Sequence, residues 1–352
     1  MTSIKSNGYT IHIGDEIFKT LKTFLGKNNY SSFFILCDEN TLQHCLPTLI
    51  TSCPKLSTAE ILEIESGETG KSIEFCVHIW NTLTELKADK KTLLINLGGG
   101  VVSDLGGFTA SVYKRGIDFI NIPTSLLAMA DASVGGKTGI DFGDHKNLIG
   151  TFTQPKAVFI YTEFLKTLEE RHFQNGLAEI YKMGLVCDKK FWGLLKDSVP
   201  VKELITKSVT LKNKIVLKDP FDKGVRNILN FGHTIGHAIE TLQLGTKNEL
   251  LHGEAVMVGM ILESHISFQK KKLSKKELTE IAEEFKYSFL LPSLDTISLN
   301  DIVEKIRNDK KSVNGKLLFS LIDKIGACKI NVEVSKPQVK NALAYYNTLI
   351  SK

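Results

Sequence analysis

Short apolar runs alternate with helix-length amphipathic runs through the first half of the chain. Residues 33–37 end at Asp38, residues 92–97 end in Gly98, Gly99 and Gly100, and residues 119–123 and 157–160 repeat the pattern. Continuous apolar runs of this length suit strands, and segments such as 71–86 between them carry helical periodicity. The alternation predicts an α/β domain with a largely parallel sheet. From about residue 169 the pattern changes to long helical periodicities at 169–186, 201–217, 226–242 and 254–271, with few strand signals. We therefore expect an α/β domain over 1–166, an all-α domain over 167–352, and an active site in the cleft between them.

The run 226–240, RNILNFGHTIGHAIE, stands out within that pattern. In a continuous helix at about 100° per residue, Arg226, Asn230, His233 and His237 fall within about 60° of one another. Ile228, Leu229, Phe231, Ile235, Ala238 and Ile239 make the other sides apolar. A polar stripe on such a helix lines an internal cavity, and its donors, cation and imidazoles suit an anion, a metal or both. Gly232 and Gly236 allow other backbone to come close.

Composition changes this picture little. A chain of 352 residues with 42% hydrophobic and 24% charged content is ordinary for a globular enzyme. The net charge of +5 is too weak and dispersed for nucleic acid but suits a small acidic substrate. The basic cluster at Lys270–Lys272, Lys275 and Lys276 reads as a solvated helix face. Six cysteines without a CxxC pair read as reduced thiols. There is no apolar leader and no membrane-length apolar span, so a cytoplasmic protein with no membrane anchor is expected.

Several short motifs carry candidate chemistry. Gly98-Gly99-Gly100 follows a strand and opens a helix, the setting of a phosphate-binding turn, although Ser103 departs from GxGxxG. Asp104 stands too near such a turn to face a pyrophosphate and should meet a ribose or another polar partner. Gly135-Gly136-Lys137-Thr138 is not a P-loop, because Asp131 occupies the position that needs glycine. Thr124, Ser125, Asp131, Lys137, Lys146 and Asn147 nevertheless gather polar groups around one loop. Glu179 and Lys182 are three apart on a helix whose neighbours are apolar. His233 and His237 have i, i+4 spacing and His252 follows, but HExxH is absent. A three-ligand site is open to the three histidines, or to Glu179 with two of them, and spacing does not say which two.

In this order the motifs resemble the 3-dehydroquinate synthase family. The resemblance runs from about Asp38 to Gly326, strongest in GGGVVSDLGGF, PTSLLAMADASVGGKTG, GLAEIYK, RNILNFGHTIGHAIE and LHGEA. It implies a Rossmann-like NAD-binding domain and a metal- and substrate-binding domain. It further implies that Glu179, His233 and His252 hold Zn²⁺ or Co²⁺. Asp38, Glu68, Lys71, Gly99, Gly100, Asp104, Thr124, Ser125, Lys137, Lys146 and Thr167 match positions around NAD. Lys137, Lys182, Lys212, Arg226, Asn230 and His237 match the catalytic pocket; Asp131, Asn147 and either Lys310 or Lys311 match further substrate positions. Arg115 matches an arginine that reaches the neighbouring subunit's phosphate site, which implies a homodimer. Three departures are Ser125 for Thr, Ser66 for Asp and Tyr181 for an aliphatic residue; none removes a charge that the chemistry needs.

The activity so implied converts a small acidic sugar phosphate, 3-deoxy-D-arabino-heptulosonate 7-phosphate, to 3-dehydroquinate and phosphate in the shikimate pathway. It proceeds by transient oxidation, phosphate elimination, reduction and intramolecular aldol closure. Rival readings are a sister sugar-phosphate cyclase, a metal-dependent NAD alcohol or polyol dehydrogenase, and a silent NAD-binding scaffold. The presence of Lys212, Arg226, Asn230 and His237 together weighs against the first.

Overall fold

Seven strands form the principal sheet: β1 (Thr2–Lys5), β2 (Thr10–Ile13), β3 (Ser32–Asp38), β4 (Glu60–Ile64), β5 (Thr92–Gly98), β6 (Asp118–Pro123) and, after a hairpin, β9 (Ala157–Ile160). The hairpin is β7 (Lys137–Phe142) with β8 (His145–Phe152). This is a computed structural model that describes residues 1–143, 145–308, 312–313 and 316–351. The strand order is β1-β2-β9-β6-β5-β3-β4, parallel throughout except for β1 against β2. This is the largely parallel α/β sheet that the alternating apolar runs predict.

Every residue of β5 is buried, because helices cover both faces of the sheet. On one face Phe34, Leu36, Leu62, Leu94 and Phe119 pack with Cys76, Ile79 and Leu83 of helix Ile73–Glu85, and with Val102, Leu105 and Phe108 of helix Gly100–Val112. The chain leaves β3 to form β4 on one side and returns to form β5 on the other. Between the carboxyl ends of β3 and β5 the strand order therefore reverses. Open α/β sheets bind ligands at such a switch point, and here it is bounded by Asp38 and the Gly98–Gly100 turn.

Two compact units are present: residues 1–173 with 201–221, and residues 174–200 with 222–352. The second is mainly helical, built on Glu170–Cys187, His233–Gln243, His252–Gln269, Lys275–Ser288, Leu299–Asn308 and Lys336–Ile350. To this helical character it adds a small antiparallel sheet of β10 (Ser312–Val313), β11 (Lys316–Lys324) and β12 (Ala327–Val334), so it is not all-α. The alternating burial of β12 fits a sheet with one covered face.

The expected continuous helix over 226–242 is interrupted. A tight turn of 3₁₀ type spans Val225–Asn230, Gly232 takes a left-handed conformation (φ 80°, ψ −17°), and the α-helix begins at His233. Glycine carries no Cβ penalty there, and the buried Glu263 carboxylate accepts the backbone N–H of Gly232 (2.7 Å) and of Ile235 (3.1 Å). Those bonds satisfy donors that a helix start leaves open. A Cβ on Gly236 would stand 3.0 Å from Ala255 O and Val256 Cα, so helices His233–Gln243 and His252–Gln269 cross closely at that point.

Among the described residues no helix is long and apolar enough to cross a membrane. All six cysteines are free; Cys37, Cys45, Cys53 and Cys76 are buried, and Cys187 and Cys328 half-buried.

Candidate active site

At the switch point of the first unit, Gly99 caps helix Gly100–Val112 and presents the backbone N–H groups of its first turn. Thr124 donates its backbone N–H to Gly98 O (3.0 Å), and Ser125 Oγ accepts from Ala128 N (3.3 Å), which places both residues beside the glycine turn. A Cβ on Gly99 would come within 3.4 Å of Ser125 Oγ. Asp38 closes β3 and uses Oδ1 to accept the N–H of Thr41 (2.8 Å), capping helix Glu39–His44.

Lys71 is the hub of this unit's polar cluster. Its ammonium is buried and donates to Asp104 Oδ2 (2.6 Å) and Asn147 Oδ1 (2.5 Å). Burial opposes its charge, but Asp104 and then Glu68 outweigh burial and hold the ammonium above its ordinary pKa. Lys146 reaches Glu68 Oε2 at 3.7 Å. The bond from Asp141 N to Lys71 O (2.9 Å) ties the β7–β8 hairpin to the segment that carries Lys71. Asp104 and Lys137 line one small cavity. Nearby, Lys212 on helix Val201–Lys218 is buried and bonds both the carboxylate (2.8 Å) and the carbonyl (2.7 Å) of Asp131.

The second unit gathers Glu179, Lys182, His233, His237 and His252. Glu179 Oε1 lies 3.4 Å from His233 Nε2 and 3.7 Å from His252 Nε2. Two donors on a tetrahedral zinc stand roughly 3.3 Å apart, so this carboxylate and these two imidazoles fit one cation. His233 Nδ1 is 3.2 Å from Phe231 O, and His252 Nδ1 is 3.3 Å from Glu240 Oε2. Each ring thus has its Nδ1 tied, the arrangement that turns Nε2 to a metal. The three histidines can also supply nitrogens all within 4.8 Å of one another, with His237 centred 5.1 Å from His233 and 5.5 Å from His252. These distances support two triads, Glu179 or His237 with His233 and His252.

Lys182 is ion-paired with Glu179, and both are almost wholly buried. Burial opposes charge on Glu179, but Lys182, then His252, outweighs it and holds the carboxyl below its usual range. Burial likewise opposes charge on His252, and its bonds to Glu179 and Glu240 raise its pKa. Arg226 is buried within Val225–Asn230, and Asn230 Nδ2 donates to Asn227 Oδ1 (2.9 Å).

Thr167 and Arg115 each sit in a local turn. Thr167 Oγ1 donates to Phe164 O (3.3 Å) at the end of the turn Thr162–Thr167. Arg115 is exposed in a left-handed conformation (φ 64°) that follows Lys114 (φ 49°). Lys310 and Lys311 lie outside the described residues. Glu240 and Glu263, both buried, were not legible as site residues. The available signal was a carboxylate directly after apolar residues: AIE at 238–240 and ILE at 261–263.

Two family models match consecutive stretches of the chain: 3-dehydroquinate synthase N-terminal over residues 61–175, and 3-dehydroquinate synthase C-terminal over 176–312. The chain is also 37% identical to the 3-dehydroquinate synthase of Parabacteroides distasonis over 333 residues, covering 93% of this chain and 94% of that one.

The chain belongs to the 3-dehydroquinate synthase family.

Its fold matches solved sugar-phosphate cyclases. A 2-deoxy-scyllo-inosose synthase crystallised with carbaglucose-6-phosphate, NAD⁺ and Co²⁺ superposes with a TM-score of 0.87 at 22% identity, covering 98% of this chain and 99% of that one. The 2-epi-5-epi-valiolone synthase of Streptomyces hygroscopicus subsp. jinggangensis, with NAD⁺ and Zn²⁺ bound, gives 0.86 at 23% identity, covering 99% of each. The polar clusters of both units fall within the segments matched by the 3-dehydroquinate synthase models, apart from Asp38 on the amino-terminal side.

Proposed function

We propose that the protein is a 3-dehydroquinate synthase that converts 3-deoxy-D-arabino-heptulosonate 7-phosphate to 3-dehydroquinate and phosphate. The carrying observation is the 37% identity across 93% of the chain to an enzyme of that name, against 22–23% to the inosose and valiolone cyclases. NAD is its cofactor and Zn²⁺ or Co²⁺ its metal, a choice supported by the ligands in those two cyclase crystals. When bound, NAD⁺ would supply a reversible hydride acceptor, and the metal would polarise the hydroxyl oxygen on the carbon that is oxidised.

The chain's own residues bind and orient. Glu179, His233 and His252 hold the metal through one carboxylate and two imidazoles. The Gly99–Gly100 amides receive pyrophosphate at a helix start, and Asp38, Glu68, Lys71, Asp104, Thr124, Ser125, Lys146 and Thr167 serve the rest of the dinucleotide. Lys137, Asn147, Arg226 and His237 donate to the substrate's phosphate, which favours its departure by stabilising the charge that develops there. Asp131, Lys182, Lys212, Asn230 and one lysine of 310–311 orient its carboxylate and hydroxyls. The enzyme works as a cytoplasmic homodimer in which Arg115 reaches the neighbouring copy's phosphate site.

The test is turnover of the purified protein with NAD⁺, Zn²⁺ and the heptulosonate phosphate. Phosphate and dehydroquinate should form in equal amounts with no net NADH. Net NADH identifies a dehydrogenase instead. Turnover of only sedoheptulose 7-phosphate or glucose 6-phosphate identifies a sister cyclase, and no turnover of any of these overturns the reading.

A further inference from the structure

We infer that Glu240 is a positioning residue for the metal centre, orienting His252 and raising the basicity of its Nε2 without itself binding metal. This inference rests on the metal reading above. Glu240 lies seven residues after His233 on helix His233–Gln243, and at about 100° per residue it returns to nearly the same face two turns on. His252 opens the next helix, and the gap between the two helices is narrow because Gly236 has no side chain. Glu240 is 3% exposed, and its Oε2 lies 3.3 Å from His252 Nδ1.

A buried carboxylate in a helix whose neighbours Ile235, Ala238 and Ile239 are core residues is costly unless it is bonded. An aliphatic residue would fill the space more cheaply. The bond to His252 Nδ1 compensates that cost, and it fixes which nitrogen of the ring is free. A carboxylate on one imidazole nitrogen aims the other and makes it a better donor, the usual outer partner of a metal-bound histidine. His252 belongs to both triads that the geometry allows, so the role of Glu240 holds for either. His233 Nδ1 faces a backbone carbonyl, Phe231 O, at 3.2 Å, whereas His252 Nδ1 faces a carboxylate.

The experiment uses the full-length protein stripped of metal and titrated with Co²⁺ alone, then with Zn²⁺ in competition with a chelator. Glu240→Gln should weaken affinity about 10-fold and Glu240→Ala about 100-fold, and both should shift the visible absorption bands of bound Co²⁺. Glu240→Gln keeps the volume and an acceptor oxygen, so it carries the test if Glu240→Ala does not fold. His252→Ala is the control for the metal reading. If His252→Ala loses Co²⁺ while Glu240→Gln binds with wild-type affinity and spectrum, the positioning role is overturned and the metal site stands. If wild-type protein binds neither ion, or His252→Ala binds as well as wild type, the metal reading itself fails.

Discussion

Lys182 and Glu179 form an ion pair three residues apart on one helix, with side chains only 2% and 1% exposed. At this spacing such pairs usually sit on a surface and contribute a few tenths of a kcal/mol. Here the pair lies inside the fold, where losing one partner strands a charge at a cost of about 3–5 kcal/mol. Lys182→Met should therefore destabilise the metal-free protein by that order. If Glu179 binds the metal, a bound dication replaces much of the missing positive charge. Urea unfolding with EDTA and with saturating Zn²⁺ should then show a distinctly smaller loss in the zinc form. Equal losses in both would place the metal elsewhere.

The two triads supported by these distances differ in whether Glu179 or His237 joins His233 and His252. Glu179 Oε1 stands at 3.4 and 3.7 Å from the two shared imidazoles, close to a tetrahedral edge. Stoichiometry by atomic emission should show His252→Ala purified without metal. His237→Ala should keep one ion per chain while losing at least about 100-fold in kcat, a donor-removal effect of the size seen for preorganised sites. Loss of metal from His237→Ala would assign the third ligand to that histidine.

Lys71 neutralises Asp104 and also holds Asn147, so its removal should have two separable effects. Lys71→Met strands the half-buried Asp104 carboxylate, 21% exposed, with an expected loss of about 1–3 kcal/mol in stability. Adding Asp104→Asn should restore most of that stability, because the stranded charge is gone; a double-mutant cycle isolates the coupling. NAD⁺ affinity, measured by fluorescence titration, should fall at least about tenfold in Lys71→Met and should not recover in the double variant, as both residues face the proposed dinucleotide. Full recovery of NAD⁺ binding would show Lys71 to be structural only.

How much of this was legible follows from the range of each interaction. The runs at 33–37 and 92–97 predict β3 and β5 because side-chain patterning is local, and the glycines after β5 mark the turn directly. The helix break at Gly232 was not legible, since it depends on Glu263 arriving from 31 residues away to take two backbone N–H groups. Lys212 finds Asp131 across 81 positions, a pairing that no spacing rule reaches. The antiparallel sheet of the second unit hardly showed among the long helical periodicities, because β12 alternates with the weak signal of a half-exposed strand. Glu240 was hidden for the opposite reason. On a helix that carries a polar stripe, one more polar residue adds no distinct signal.

Glu280 supplies a pH test far from the chemistry. Its Oε1 accepts from Trp192 Nε1 (2.8 Å) and from Lys196 Nζ (2.5 Å). Burial pushes its carboxyl up, but Lys196 and Trp192 together outweigh burial and leave it below the usual value. A carboxyl whose folded pKa is depressed adds stability above its unfolded pKa and loses that stability as pH falls through the folded value. With the carboxylate 34% exposed, water screens the pair, and the contribution should stay under about 1 kcal/mol. Glu280→Gln keeps an acceptor for Trp192 but removes the charge. Its urea midpoint should lie below wild type at neutral pH, and the gap should close as the pH drops below about 4. A gap that persists in acid would mean that the charge does not carry the interaction.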